Sequence, residues 1–374
     1  MSSSALRVQA VLLLPALIIP AMLLAGPGEP GTSSAVAGAA NTIDAQPRKR
    51  EIIEGFPPRI QARLDQRVRS MKSVTPKHGL APAFIINVSK RWHAAQTLKV
   101  AFRGGDTVLH KQIADTVSDW MNYAYLKFDF GINPTTGEYR SWNTTDTAFA
   151  AEIRVSFDQS GFYSLVANDS INPSVSKPGE ASLNLEGFDQ SLPSDWSAVA
   201  LHEFGHAIGF EHEHQRPDTP CDFRFDDDPG YVPTNPDGPF IPDPSGKKPG
   251  LYTMLGGPPN NWPQEVVDFN LKRLATDSHA YDMGPFDKDS IMMYSFPDWM
   301  FASGNMSPCY TRENLVLSIG DKQGAAKVYP KAPEQIKAAS ELRTKVLRDL
   351  TKIKTQSAAA LQHLQHELSK YEEK

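Results

Sequence analysis

Alternating and helically spaced apolar residues divide the middle of the chain into short predicted elements. Residues 97–102 alternate apolar and polar side chains, which predicts a half-buried strand, and residues 108–124 carry apolar side chains at helical spacing. Short apolar runs predict four more strands, at residues 126–130, 153–157, 161–166 and 181–185. The strand at residues 161–166 is expected to lie at an edge of the sheet. Helical spacing also predicts helices at residues 58–71, 264–275 and 320–329. Residues 216–257 are dense in Pro, Asp and Gly, which predicts a long irregular segment.

The beginning of the chain is expected to be a signal peptide, residues 1–25. An apolar run follows Arg7, but it contains two prolines and is short for a membrane span of roughly 20 residues. An uncleaved membrane anchor is the alternative. Residues 26–88 are expected to form a prosegment or N-terminal extension, which is small and polar at first and carries a basic run at 48–50. This run is interpreted either as a processing site or as a solvated basic patch.

The last segment, residues 332–374, differs from the rest of the chain. Its apolar positions recur at alternating steps of three and four, which predicts an amphipathic helix of coiled-coil character. Two interpretations remain open. The helix packs onto its own domain, or it mediates self-association of two chains.

Charge and cysteine content narrow the possible classes of function. The 374 residues have a formal net charge of −5, which argues against nucleic acid as a partner. In an oxidising compartment Cys221 and Cys309 are expected to form one disulfide, and two buried free thiols are the alternative. Beside a signal peptide, four N-x-S/T sequons are consistent with a secreted glycoprotein: Asn87, Asn143, Asn168 and Asn305.

Three histidines follow the spacing H-E-x-x-H-x-x-G-x-x-H, which is a zinc-protease signature. His202 and His206 lie four positions apart, and a helix therefore places them on one face. Gly209 can adopt the left-handed conformation that ends a helix, so that the chain brings His212 back to the same metal ion. Three neutral imidazoles leave one zinc position open, as a catalytic site requires. The motif predicts one zinc ion per chain.

Glu203 is the predicted general base of this site. It lies beside two of the metal ligands, close enough to reach a metal-bound water without ligating the metal. Zinc lowers the pKa of its water from 15.7 to about 7, and Glu203 is expected to take that proton and pass it to the leaving amine. The alternative from a different class is a catalytically inactive, zinc-bearing binding or adhesion protein. Such a site has no use for a general base.

A second motif, S-x-M-x-Y, begins at Ser290, about eighty residues past the third histidine. With both motifs the chain resembles the metzincins, in which a methionine turn passes beneath three zinc-binding histidines, and Met292 matches that methionine. The string from Gly209 to Asp218 is similar to the astacin pattern G-F-x-H-E-H-x-R-x-D. Tyr294 matches an astacin tyrosine that approaches the zinc and stabilises the transition state. The resemblance covers roughly residues 89–329.

This resemblance implies an α+β fold with a twisted mixed sheet, an active-site helix and a largely irregular C-terminal subdomain. The implied peptidase domain spans residues 89–331, with the amphipathic helix appended after it. The implied activity is that of a secreted zinc endopeptidase acting on proteins or peptides, with no stable membrane insertion after signal cleavage. Tyr294 is expected to donate a hydrogen bond to the oxyanion, and an extended peptide is expected to pair with the edge strand near residues 164–166.

Departures from the astacin pattern are also present. Met293 stands where astacins usually have histidine, and two cysteines stand where animal members have four, so the chain is similar to compact microbial members. The astacin residue that matches Glu213 pairs with the mature N-terminus, and an internal ion pair is the alternative here. Asp106 is interpreted as a helix cap and not as a zinc-blocking aspartate. A matrixin-like metzincin is the rival interpretation, although matrixins lack the continuation Glu213-His214.

Overall fold

The computed structural model describes residues 55–71, 86–233, 242–258, 260–274, 281–282, 284–352 and 358–372. The predicted signal peptide and the basic run at 48–50 lie outside the described residues. Within these ranges no helix combines the length and the apolar character needed to cross a membrane. The described chain is an α+β protein, as the sequence predicts.

The described chain contains seven short strands and nine α-helices, numbered here in chain order. The strands are β1 (Ile86–Asn87), β2 (Thr97–Arg103), β3 (Lys127–Asp129), β4 (Ile153–Ser156), β5 (Phe162–Ser164), β6 (Leu183–Leu185) and β7 (Tyr281–Asp282). The helices are α1 (Pro58–Met71), α2 (Thr107–Val117), α3 (Asp119–Tyr123), α4 (Trp196–Ala207), α5 (Leu251–Gly256), α6 (Gln264–Leu271), α7 (Ile319–Val328), α8 (Pro333–Thr351) and α9 (Ala358–Glu372).

A five-stranded mixed sheet has the order β3-β2-β4-β6-β5. The first four strands run parallel, and β5 pairs antiparallel with β6, Tyr163 opposite Asn184. Leu98, Val100 and Phe102 alternate along β2 and are buried in the main core with α2 and α4. All five predicted strands are present. Strand β2 is one residue longer than predicted and the other four are shorter. The predicted edge strand is β5, which lies at one end of the sheet.

The predicted helix at 108–124 is divided into α2 and α3 at Ser118. The Ser118 hydroxyl donates to the carbonyl oxygen of Ala114 at 2.6 Å, a local bond that competes with continuation of the helix. Asp106 accepts a hydrogen bond from the amide of Leu109 at 2.8 Å, so its interpretation as a helix cap is confirmed. In α3 the Trp120 indole donates to the carbonyl oxygen of Leu201 at 2.9 Å, which fixes α3 against α4.

The C-terminal subdomain is largely irregular and has its own apolar cluster. Cys221 and Cys309 form a disulfide with their Cα atoms 5.1 Å apart, as predicted, and they lie in this cluster with residues of α5 and α6. Helix α5 falls inside the stretch predicted to be irregular throughout, where the buried residues Leu251 and Leu255 anchor it to the cluster. The disulfide and the cluster together hold a region that contains little regular structure.

The C-terminal tail forms two helices where one continuous helix was predicted. Helices α8 and α9 contact each other, and Arg343 of α8 pairs with Glu367 of α9 at 2.7 Å in a buried ion pair. The hairpin also packs onto its own domain, because the Arg91 side chain donates to the carbonyl oxygen of Ala339 at 2.8 Å. The C-terminal segment therefore packs onto its own domain, as one of the two interpretations predicts. Self-association of two chains stays a prediction.

Helix α1 lies within the predicted N-terminal extension and has the predicted bounds, residues 58–71. Its apolar side chains Ile60 and Leu64 are buried against Tyr163, Leu165 and Val175, on a face of β5 away from the main core. Three of its arginine side chains form ion pairs with buried or partly buried carboxylates of the sheet region: Arg59 and Arg63 with Glu180, and Arg67 with Asp169. This part of the extension is thus packed against the domain.

One predicted glycosylation site does not fit the fold. Asn168 is 2 % exposed, and its side-chain amide donates to Glu367 at 3.3 Å. A buried asparagine cannot carry a glycan in the folded protein, because the sugar needs a surface loop. Asn143 and Asn305 are exposed and remain predicted sites.

The buried carboxylate of Asp169 gives the fold a predicted acid sensitivity. Burial raises the pKa of Asp169, but the cations Arg67 and Lys90 outweigh it and lower the pKa to about 2. Glu211 faces Lys90 from the other side, and His363 of α9 also interacts with Asp169. A depressed carboxylate pKa contributes stability that is present above the unfolded pKa, near 4, and is lost as pH falls towards 2.

We therefore expect the Asp169→Asn variant to lose about 2 kcal/mol of this pH-dependent stability. Urea unfolding at pH 5 and at pH 2.5 measures it, since the wild-type free energy of unfolding should fall between the two more steeply than that of the variant. Identical pH dependence in the two proteins would contradict the assignment.

Candidate metal centre

Helix α4 presents two of the three motif histidines on its buried face. The Nε2 atom of His206 lies 3.2 Å from Nε2 of His202 and 3.1 Å from Nε2 of His212. All three rings are buried, and their ligand atoms lie within 4.8 Å of one another. The three residues predicted from spacing alone are therefore brought together as a potential metal site.

The chain returns to the site through a turn at Gly209. This glycine has φ of 111°, a conformation that residues with a Cβ atom rarely adopt. The amide of Gly209 donates to the carbonyl oxygen of His206 at 2.8 Å, and the amide of Phe210 donates to that of Gly205 at 3.0 Å. The predicted role of Gly209 in ending α4 and returning His212 is confirmed.

Each histidine has an acceptor at its other ring nitrogen. His202 Nδ1 lies 2.7 Å from the carbonyl oxygen of Ile291, and His206 Nδ1 lies 2.6 Å from that of Phe210. His212 Nδ1 lies 2.9 Å from Oε1 of Gln215. Since these partners accept, each neutral imidazole carries its proton on Nδ1 and leaves the Nε2 lone pair directed at the other two rings.

This donor set fits a metal ion that prefers imidazole nitrogen. The Nε2 atom of His206 lies 3.2 Å and 3.1 Å from those of the other two rings, and their lone pairs repel unless a cation lies between them or the rings take up protons. Metal-binding histidines usually donate the N–H of their other ring nitrogen to an oxygen acceptor, which fixes the orientation of the ring. His202, His206 and His212 would hold the ion, and Gln215 would orient the third ligand.

The methionine turn lies directly under α4. Met292 is buried, and a Cβ atom placed on Gly205 would come within 2.5 Å of its sulfur and 3.1 Å of the Trp120 ring. The turn is held from α7, because Asp321 accepts from the Ser290 hydroxyl at 2.6 Å and from the Ile291 amide at 2.8 Å. Ile291 in turn supplies the acceptor for His202, so α7 supports a ligand through this turn.

Glu213 makes an internal ion pair, which is one of the two alternatives that the sequence allows for it. Its Oε1 atom lies 3.0 Å from Nη1 of Arg216, and it accepts from the backbone amide of Asp287 at 2.8 Å. The Arg216 side chain is buried. Burial raises the pKa of Glu213 to about 7 against the opposing attraction of Arg216. The carboxylate that pairs with the mature N-terminus in astacins is engaged here by neighbouring residues.

Tyr294 and Glu203 complete the set of predicted residues. The Tyr294 ring centroid lies 4.7 Å from that of His202 and 4.9 Å from that of His212. Glu203 is buried on α4 directly after His202. Beside Tyr294 opens a cavity of about 940 Å³, which is walled by Phe296, Met300, Tyr310 and other side chains. Tyr294 thus contacts two of the three histidines and also lines this cavity.

Gln215 is the site residue that the sequence analysis missed. Its amide group donates to the carbonyl oxygen of Phe269 at 2.6 Å while its oxygen faces His212. The only available sign was its place three residues after His212, at a position that the astacin pattern leaves unspecified between His214 and Arg216. Its function depends on Phe269 of α6, which lies 54 residues further along the chain.

Comparison with known proteins gives matches among solved structures only. No protein-family model matches the chain, and no curated protein matches it. One structure of myroilysin is 27% identical with a TM-score of 0.49 and covers 66% of this chain and 99% of its own. A second myroilysin structure is 25% identical with a TM-score of 0.40, covering 75% of this chain and 99% of its own.

A third similar structure is high choriolytic enzyme 1, a hatching enzyme zinc-protease from the medaka fish Oryzias latipes. It is 16% identical with a TM-score of 0.35 and covers 68% of this chain and 98% of its own. The features that the resemblance to astacin-like metzincins predicts for the chain are a mixed sheet, a buried histidine triad and a methionine turn. The structure of the chain itself confirms all three.

Proposed function

We propose that this chain is a secreted, astacin-like zinc endopeptidase with one zinc ion per chain and protein or peptide substrates. The observation that carries the proposal is the convergence of three buried imidazoles whose Nδ1 atoms all face acceptors. Zinc is the favoured ion because three neutral imidazoles with an open fourth position form a catalytic zinc site. Secretion is supported by the predicted signal peptide and by the disulfide.

Zinc, when bound, polarises a carbonyl oxygen and lowers the pKa of water. Glu203 supplies the proton transfer. Its carboxylate projects from the helix turn that carries His202 and His206, and it is 1 % exposed. We assign it to take the proton of the attacking water and to deliver it to the amine of the leaving peptide, since a buried carboxylate next to the ligands has the reach for both steps.

We assign Tyr294 the role of donating a hydrogen bond to the oxyanion of the transition state. Its ring stacks beside His202 and contacts His212, so the hydroxyl can approach the space in front of the histidines. A donor placed at the developing negative charge stabilises the transition state more than the ground state. The methionine turn, two residues earlier in sequence, fixes the backbone from which the tyrosine projects.

Strand β5 is assigned to substrate binding. Among the described residues it pairs with β6 on one side only. An extended peptide can therefore add to its other edge through backbone hydrogen bonds, as in β-augmentation. The strand packs on α4 and so places such a peptide beside the metal site.

The competing function is that of a zinc-bearing binding or adhesion protein without catalysis. Buried Glu203 argues against it, because a buried carboxylate is costly and a binding site gains nothing from a general base. A matrixin-like specificity is the rival within enzymes. A casein zymogram with and without chelator separates catalysis from binding.

The first prediction concerns metal content. Replacing His202, His206 or His212 by Ala should sharply reduce bound zinc, because two imidazoles hold the ion far more weakly than three. Elemental analysis of the purified, folded variants measures it. His366→Ala, at an exposed position of α9, is the control and should keep wild-type zinc. Full zinc occupancy in all three site variants would refute the metal assignment.

A second prediction tests the general base. Glu203→Gln should retain fold and zinc and lose about 100-fold or more of the peptidase activity, since general bases usually contribute that much. Steady-state hydrolysis of a quenched fluorescent peptide gives the rate. The exposed Glu138→Gln change is the control. A Glu203→Gln enzyme with more than about a tenth of wild-type activity is incompatible with this role.

A third prediction separates oxyanion stabilisation from packing at Tyr294. Tyr294→Phe should lower kcat by about 10- to 1000-fold with little change in KM and unchanged zinc, because the lost hydrogen bond forms mainly in the transition state. Tyr125→Phe, at a half-exposed tyrosine away from the site, should leave both constants unchanged. Wild-type kcat in the Tyr294→Phe enzyme would make Tyr294 a packing residue.

A further inference from the structure

Four charged side chains connect helix α1 with the turn that carries the third histidine. Arg67 of α1 pairs with one carboxylate oxygen of Asp169, and Lys90 Nζ lies 3.1 Å from the other. The same Nζ atom lies 3.4 Å from Oε1 of Glu211, the residue before His212. The Asp169 side chain is 3 % exposed, and those of Lys90 and Glu211 are 16 % and 14 % exposed. We call these four residues the Asp169 cluster.

Glu211 lies in the turn that leads from the end of α4 to His212. On one side of it, the amide of Phe210 donates to Gly205 at 3.0 Å, and the carbonyl oxygen of Phe210 faces His206 Nδ1. On the other side, the amide of Glu213 donates to the carbonyl oxygen of Met292 at 3.0 Å. The ion pair with Lys90 therefore ties the centre of a turn that orients one ligand and carries another.

Lys90 is itself held by several parts of the fold. Its carbonyl oxygen accepts from the amide of Asn168 at 3.0 Å. The next residue, Arg91, donates to Ala339 of α8 at 2.8 Å, and Trp92 donates through its indole to Ala207 at the end of α4 at 2.8 Å. The ammonium group thus projects from a backbone that is fixed against both the C-terminal hairpin and the zinc-motif helix.

The backbone around Asp169 is equally constrained. Ala167 has φ of 45°, a left-handed conformation that costs free energy for a residue with a Cβ atom. Asn168 donates to Glu367, which pairs with Arg343 inside the α8–α9 hairpin. Both additions to the peptidase region, α1 and the hairpin, therefore contact the same short segment, residues 167–169.

We propose that Lys90 and Glu211 are positioning residues for the metal site, and that α1 and the C-terminal hairpin act on that site by fixing Lys90 through Asp169 and Arg91. This inference rests on the proposed zinc site. Groups that hydrogen-bond directly to a metal ligand change metal affinity about 10- to 100-fold when they are removed, and a single partly exposed ion pair has a small effect. The Asp169 cluster lies one step further out, so its effect is smaller.

The experiment measures zinc release from the full-length, zinc-loaded protein at 25 °C to the chromophoric chelator pyridylazoresorcinol. Lys90→Gln and Glu211→Gln should each release zinc about 3- to 10-fold faster than wild type. Because both changes break the same pair, the double variant should be little faster than Lys90→Gln alone. Lys90→Arg keeps the charge and should restore most of the wild-type rate. Circular dichroism confirms that each variant is folded.

Lys111→Gln is the matched control, because it removes an exposed ion pair with Asp115 on α2. It should leave zinc release unchanged. If Lys90→Gln does not fold, Glu211→Gln decides the question, since it leaves the pair between Lys90 and Asp169 in place. Wild-type release in folded Lys90→Gln and Glu211→Gln overturns the inference, even if their melting temperatures are lower. Failure of the wild-type protein to bind zinc would instead overturn the proposed function.

Discussion

The three-histidine site depends on hydrogen bonds at the Nδ1 atoms of the histidines, on the side of each ring opposite the predicted metal. Each places the proton of an imidazole on Nδ1 and so leaves Nε2 free to bind a cation. The three acceptors come from three different places: the turn after α4, the methionine turn, and the side chain of Gln215. The rest of the fold can be understood as the means of holding these acceptors in position.

Several distant elements share that task. Asp321 of α7 holds the methionine turn through Ser290 and Ile291, and Tyr329 at the end of α7 donates to the carbonyl oxygen of Ile208 at 2.5 Å. Helix α6 holds Gln215. Close packing completes the arrangement, because the space between α4, Trp120 and Met292 leaves no room for a side chain at Gly205. Each ligand is therefore oriented by residues that lie outside its own element.

Residue spacing in the sequence predicts features that depend on near neighbours in the chain, and it misses contacts between segments that are far apart in sequence. The positions of His202 and His206, the turn at Gly209 and the cap at Asp106 follow from helix periodicity and backbone preferences, and the structure confirms them. Gln215 was missed because its role requires α6. The burial of Asn168 could not be foreseen because Glu367, its partner, lies 199 residues away. The predicted 108–124 helix is divided at Ser118, whose hydroxyl bonds the carbonyl oxygen four residues earlier, and hydrophobic spacing does not report such a contact.

The contact between Arg91 and the C-terminal hairpin has a consequence for the order in which the chain folds. Arg91 and Ala339 are 248 residues apart in sequence, so this contact closes one of the longest loops in the described chain. Contacts of large sequence separation carry a high closure entropy and form after local ones. During synthesis the hairpin leaves the ribosome after the zinc motif, and domains assemble as their segments emerge. We therefore expect the region behind the histidines to reach its final rigidity only after the C-terminal hairpin has been synthesised and has docked.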